Sequence, residues 1–209
     1  MDIARFRKLP VMGIVRGVRL DEIEPLVDAI IASGLETIEI TMNTEHADEL
    51  IQRAVKAAEG RLMIGAGTVL NVPSAERALD SGATFIVMPT LVTDVMEYCV
   101  KNVLPVFPGA LTPQEIHNAW SAGATMVKVF PAGVFGPGYF KELQGPFDHI
   151  ELMACGGVTT ENVRSYFAGG ASAVAFGASI FRREWLAEKA FIKIEQATKK
   201  LTTEVASCL

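Results

Sequence analysis

Residues 112–131 read Thr112-Pro-Gln-Glu-Ile-His-Asn-Ala-Trp-Ser-Ala-Gly-Ala-Thr-Met-Val-Lys-Val-Phe-Pro131, and their order predicts one complete helix–turn–strand unit. Thr112 with Glu115 three residues on, and Pro113 between them, is a helix-start signal. Gly123, set between small residues, suits a left-handed helix C-cap and a tight passage into the next strand. Met126–Phe130 is then a short apolar run of the kind that strands buried on both faces display.

The unit recurs along the chain. Strand-like runs are expected at Val11–Val15, Thr37–Thr41, Leu62–Ala66, Phe85–Met88, Leu104–Phe107, Met126–Phe130, Ile150–Ala154 and Ala173–Phe176. Helix-start signals stand between them at Asp21-Glu22, Pro73-Ser74, Thr93-Asp94, Thr112–Glu115 and Thr159–Glu161. Small-Gly-small segments at Ser33-Gly-Leu35, Ser81–Thr84, Ala122–Thr125 and Gly169–Ser172 return at intervals of roughly two strand–helix units. Alternation with near-continuous hydrophobic strands predicts a parallel sheet covered by helices. Eight such units match the lower size limit of a single closed (β/α)8 TIM barrel, with an open doubly wound sheet as the alternative. Nothing in residues 1–209 suggests a linker or composition break, so one domain is expected. Met1–Lys8 is placed as a short helix across the lower end of the barrel, and a helix after Phe181 closes the chain.

Composition narrows the function. The 209 residues are 50% hydrophobic and 21% charged, enough apolar surface for one well-buried core. Lys+Arg 19 against Asp+Glu 24 leaves a formal charge of -5, dispersed rather than clustered, which argues against nucleic-acid or membrane-surface binding. An anionic ligand must therefore be held by a locally built site of backbone N–H groups and a few placed cations. Cys99, Cys155 and Cys208 are odd in number and widely spaced, the pattern of a reducing compartment without disulfides. With no signal-like or membrane-spanning apolar stretch, the expected location is the cytoplasm.

The informative residues are polar groups where strands should be oily. By period-2 alternation, Val127 and Val129 face the helices while Met126, Lys128 and Phe130 face the lumen. Desolvation of an ammonium there is expected to lower its pKa toward neutrality and free the amine to attack a carbonyl. A snorkelling or carboxylate-paired lysine is the plainer alternative. In Thr37-Ile-Glu-Ile-Thr-Met-Asn43 the same alternation turns Glu39 inward, as a general acid/base or simply as half of a buried ion pair. Arg16 and Thr68 end the first and third strands, on the face where barrel enzymes place their sites, and suit a planar carboxylate. A surface arginine and a helix-capping threonine are the alternatives. The glycine clusters Cys155-Gly-Gly-Val158 and Phe176-Gly-Ala-Ser-Ile180 follow the seventh and eighth strands, where barrels cradle phosphate, though glycine also serves tight turns. His46, His117 and His149 are scattered without ligand spacing, which argues against zinc. Cys155 reads as a buried small residue rather than a nucleophile.

Taken together, Ile38-Glu-Ile-Thr41, Gly65-Ala-Gly-Thr-Val69, Lys128-Val-Phe-Pro-Ala132 and Gly156-Gly-Val158 resemble the 2-keto-3-deoxy-6-phosphogluconate (KDPG) and 4-hydroxy-2-oxoglutarate (KHG) aldolases, from about Val11 to Phe181. The resemblance implies a class I aldolase, a lyase that needs no cofactor or metal and is commonly a homotrimer. It implies Lys128 as the Schiff-base lysine, Glu39 as the catalytic glutamate and Thr68 as a contact to the pyruvate moiety. Pro89 matches the proline closing the fourth-strand loop, and Gly156, Gly157 and Ser179 match the phosphate-binding set. Three positions depart from the commonest pattern. Asn43 stands where many members carry a carboxylate-gripping arginine, Thr90 follows Pro89, and Cys155 stands where threonine is frequent. With Arg16 as the cation instead, the arrangement is similar to the phosphogalactonate-cleaving branch. The implied substrate is a phosphorylated keto acid: KDPG, giving pyruvate and D-glyceraldehyde 3-phosphate, with KHG as a second substrate. The galactonate epimer is the alternative, and a phosphosugar isomerase or epimerase the reading from another reaction class.

Overall fold

Proline has no N–H to give to a strand ladder, and at Pro108 the fifth of the eight expected strands divides in two. The computed structural model describes residues 1–209. Its strands are β1 Val11–Val15, β2 Thr37–Thr41, β3 Met63–Gly67, β4 Ile86–Val87, β5 Val106–Phe107, β6 Gly109–Ala110, β7 Val127–Val129, β8 Leu152–Cys155 and β9 Ala173–Phe176. All pair in parallel, in the order β5-β4-β3-β2-β1-β9-β8-β7-β6. The two ends of that order are joined through Pro108, so the sheet closes on itself. The backbone bonds show the join: Met88 N donates to Phe107 O on one side (3.0 Å), and Lys128 N donates to Pro108 O on the other (2.8 Å). The fold is a (β/α)8 barrel, and the open-sheet alternative is excluded because the two edges of that order, β5 and β6, are one segment separated only by Pro108.

The helices are α1 Ile3–Lys8, α2 Ile23–Ala32, α3 Ala47–Ala58, α4 Val72–Asp80, α5 Thr93–Lys101, α6 Pro113–Ser121, α7 Pro137–Gln144, α8 Val163–Ala168, α9 Arg183–Ala187 and α10 Phe191–Ala206, with a 3-10 turn at Ala132–Val134. The Thr112–Glu115 signal is realised as a full capping box on α6. Two starts differ from the sequence reading. Asn71, not Pro73-Ser74, caps α4, its side chain accepting from Ser74 N at 2.9 Å. Helix α8 waits until Val163, because Asn162 Oδ1 accepts from Thr159 N and holds Thr159–Asn162 as a turn. The glycines of the small-Gly-small repeat, Gly34, Gly82, Gly123 and Gly170, all have φ between 81° and 100°, the conformation that spares glycine a Cβ clash. The single closing helix expected after Phe181 is two, α9 and α10. None of the helices is long and apolar enough to cross a membrane.

Alternating strand residues divide the apolar mass into two layers. Ile38, Ile40, Val127 and Val129 belong to the large cluster packed under the helices. Met12, Met63, Phe85, Phe107, Met126 and Met153 fill the lumen, and Phe6 of α1 packs into it from below, edge-on to Phe107 at 5.9 Å. The lower lumen is thus solid. Only its carboxyl end is free to carry chemistry.

Candidate active site

Above the methionine and phenylalanine layers, two charges face each other. Lys128 on β7 and Glu39 on β2 are 6% and 1% exposed, with Nζ 3.7 Å from Oε1. In the strand order these strands stand on opposite walls, so the pair spans the lumen. Neither Glu39 oxygen has a partner at hydrogen-bond distance, which leaves a buried carboxylate whose ion-pair partner is this ammonium. The glycine at 67 makes the arrangement feasible: a Cβ there would lie 2.4 Å from Glu39 Oε1. Its neighbour Gly65 leaves room in the same way for the Phe85 ring.

Burial is the largest influence on both groups. It pushes the Glu39 carboxyl above the ordinary carboxylate range, against the opposing pull of Lys128 and Arg16. On Lys128 burial acts downward, but Glu39 and the sulfur of Cys155 together more than offset it, and the ammonium sits above the ordinary lysine value. Burial holds the Cys155 thiol itself up at about 11. Of the influences that lift Lys128, Glu39 is the largest. This corrects the expectation that desolvation alone neutralises the lysine. Its charge is set by its partner. Moving the proton from Lys128 to Glu39 turns a buried ion pair into a buried neutral pair, and desolvation favours that transfer from both sides.

Around the pair the other expected residues take separate stations. Arg16 lies exposed at the end of β1, and its Nη2 donates to Thr68 Oγ1 at 3.2 Å. Thr68 has φ 56°, an outlier for a β-branched residue and a mark of a backbone held for a purpose. The Pro89 carbonyl presses on Gly109, where a Cβ would lie 2.1 Å from it, so the fourth-strand loop and the split fifth strand interlock. Gly156 and Gly157, with φ 89° and 80°, are clamped by Gly133 N donating to Gly156 O and Asn162 Nδ2 donating to Gly157 O, both at 2.8 Å. A cavity of about 430 Å³ opens beside Arg16 and is walled by Gly177, Ala178, Arg182, Arg183 and Glu184. Ser179 is not part of it. Ser179 borders a neighbouring cavity of about 400 Å³ with Thr159, Arg182 and Trp185, its Oγ buried and unpartnered. Asn43 is exposed in the turn after β2.

Sequence reasoning missed Gly67, Phe130 as a rim group and the Arg182-Arg183 pair. Phe130 is 40% exposed at the mouth, with its ring 5.7 Å from Lys128 Nζ. The signals were present: Gly67 shares the inward parity of its strand, and two adjacent arginines follow the eighth barrel strand. No three His, Cys, Asp or Glu side chains converge into a ligand set.

Residues 3–197 match the family model for the KDPG and KHG aldolases. The 2-dehydro-3-deoxy-6-phosphogalactonate aldolase of Escherichia coli strain K12 is 35% identical over 177 residues, which are 84% of this chain and 86% of that protein. The 2-dehydro-3-deoxy-phosphogluconate aldolase of Haemophilus influenzae is 34% identical over 192 residues, 91% of this chain and 87% of its own. A solved structure described as native KDPGal superimposes with a TM-score of 0.89 at 31% identity, covering 96% of both chains. A closed barrel with an inward lysine and glutamate and a family match over nearly its whole length leave one assignment: this chain belongs to the KDPG and KHG aldolase family, carbon–carbon lyases.

Proposed function

We propose that this protein is a class I aldolase that cleaves a 2-keto-3-deoxy-6-phospho sugar acid through a Schiff base on Lys128. The observation that carries the reading is the Lys128–Glu39 pair, 3.7 Å apart at the top of an otherwise oily lumen. Arg16 and Thr68 receive the substrate carboxylate. Glu39 takes the ammonium proton, and the neutral amine adds to the C2 ketone. The carbinolamine then loses hydroxide, protonated by Glu39 to water, and becomes an iminium facing a carboxylate. Glu39 next removes the C4 hydroxyl proton while the C3–C4 electrons flow into the iminium, releasing the aldehyde and an enamine. Return of that proton to C3, followed by hydrolysis, frees pyruvate and regenerates the lysine. No step calls on a cofactor or metal. Phe130 and the buried thiol of Cys155 keep the iminium dry.

KDPG is the first substrate, giving pyruvate and D-glyceraldehyde 3-phosphate, with KHG as a second. A second reading, the galactonate epimer, is favoured by the Arg16–Thr68 bond with Asn43 left exposed, and by the relative of that name. The isomerase or epimerase reading has no support beside the family match. Exposed Val134 and Phe135 suit a homotrimer contact, and three free cysteines suit the cytoplasm. Borohydride reduction with pyruvate, followed by peptide mapping, tests the core of the reading. A permanent adduct on Lys128 is expected, and its absence overturns the mechanism. Side-by-side turnover of the two C4 epimers decides the sugar.

A further inference from the structure

Seven of the ten arginines in the chain have a carboxylate within 4 Å: Arg5, Arg7, Arg19, Arg53, Arg61, Arg77 and Arg164. The three that do not are Arg16, Arg182 and Arg183, and all three line the same cavity of about 430 Å³ at the barrel mouth. In a protein of formal charge -5 this is a local concentration of unspent positive charge. One carboxylate, Glu184, shares the wall.

The three guanidiniums are not equivalent. Arg16 is committed to the third strand by its bond to Thr68, beside the Lys128–Glu39 pair. Arg182 is oriented but not neutralised: its Nε donates to Ser179 O at 3.3 Å, and its guanidinium lies 4.5 Å over the Trp185 ring. Arg183 makes neither a side-chain hydrogen bond nor an ion pair within the chain, so its whole fork of donors is free. A substrate of the proposed class carries two anionic ends, a carboxylate next to the ketone and a phosphate at the far end. Arg16 and Thr68 account for the first.

We propose that Arg183, with Arg182 beside it, is the specificity determinant for the distal phosphate, gripping it across the cavity mouth from the start of α9. This deepens the function proposed above and rests on it. The chemistry fits: a guanidinium binds phosphate oxygens in a bidentate fork, and two of them oppose a dianion that one helix end or a glycine turn neutralises only in part. Arg182 also borders the neighbouring cavity that Ser179 lines, whereas Arg183 borders only the one beside Gly177 and Ala178.

The test compares the 6-phosphorylated sugar acid with the same acid lacking its phosphate, in wild type, Arg183→Ala, Arg182→Ala and Arg183→Lys. Both arginines are exposed, so the variants are expected to fold. The kcat/KM ratio of phosphorylated to unphosphorylated substrate is expected to fall on the order of tenfold or more in each alanine variant, the loss for one charged hydrogen bond. The fall is expected through KM, with partial recovery in Arg183→Lys. Inorganic phosphate as a competitive inhibitor is expected to weaken in step. An unchanged ratio in both alanine variants, or equal losses on both substrates, overturns the proposal. Pyruvate trapping on wild-type Lys128 separates the two levels. If no adduct forms, the aldolase reading falls and this proposal with it; if one forms, the ratio alone decides.

Discussion

Glu39→Gln separates the two tasks that the mechanism gives this carboxylate, holding a proton and holding a charge. At 3.7 Å the attraction between Glu39 and Lys128 is roughly 4 kcal/mol at an effective dielectric near 20. Glutamine keeps the volume and removes that attraction. Burial and Arg16, the two influences that act downward on the Lys128 ammonium, are left without their main opponent. The lysine therefore deprotonates more readily than in the wild type. Pyruvate trapping by borohydride, measured as a function of pH, is expected to reach half-maximum at lower pH in the variant. Turnover behaves oppositely. Without a group to take the C4 proton and return it to C3, kcat for cleavage, followed by coupled pyruvate release, falls by about 10²–10⁴-fold. The combination is the signature: easier adduct formation at low pH, with cleavage nearly lost. A trapping profile that stays put or moves to higher pH would refute the claim that Glu39 sets the charge of Lys128. Near-normal turnover would refute its role as proton carrier.

Lys128→Met leaves Glu39 buried without a counter-charge, at a cost of roughly 3–5 kcal/mol when it is ionised. Its folded pKa lies above the unfolded value, so the associated stability is full below the unfolded carboxylate range and is lost as pH rises through the folded value. Urea unfolding is expected to show a deficit that grows from acid to neutral pH, and a flat deficit contradicts this. Gly67→Ala puts a methyl where Glu39 Oε1 now sits, 2.4 Å away. Displacing the carboxylate by such a distance is expected to lower kcat on the order of 10²-fold while Lys128 still traps pyruvate. Thr68→Gly releases a threonine from φ 56° and is expected to stabilise the fold by about 1 kcal/mol in thermal melts. The same change raises KM for the keto acid, because Arg16 loses its partner. A variant less stable than wild type would show that the backbone at this position is not strained.

Much of the site was legible because the strand period is two. Once Thr37–Thr41 and Met126–Phe130 are read as strands covered by helices, Ile38, Ile40, Val127 and Val129 must face outward, which leaves Glu39 and Lys128 nowhere to go but the lumen. The repeat of helix start, small-Gly-small turn and apolar run likewise carries the barrel, since each is a local event written in adjacent residues. Ser179 shows the limit of such reading. Its place in a loop of the expected kind was visible, but the cavity it borders is completed by Thr159–Glu161 and by Ala197 and Lys200 of α10, which are distant in sequence. The division at Pro108 was equally hidden, although a proline in a strand is a local signal. Its effect follows only once both neighbouring strands are in place to accept and donate around it.

From its residues alone this chain was bound to alternate strand with helix and to place a lysine and a glutamate on inward faces, because backbone geometry and hydrophobic periodicity are local. That the two meet 3.7 Å apart from opposite walls was decided only by closure of the sheet. So was the direction in which the Lys128 pKa moves, since it depends on which charge stands across a dry gap rather than on the strand that carries it. The gathering of three unpaired arginines at one mouth belongs to the same class of fact. It arises from the order in which strands join, and no stretch of sequence contains it.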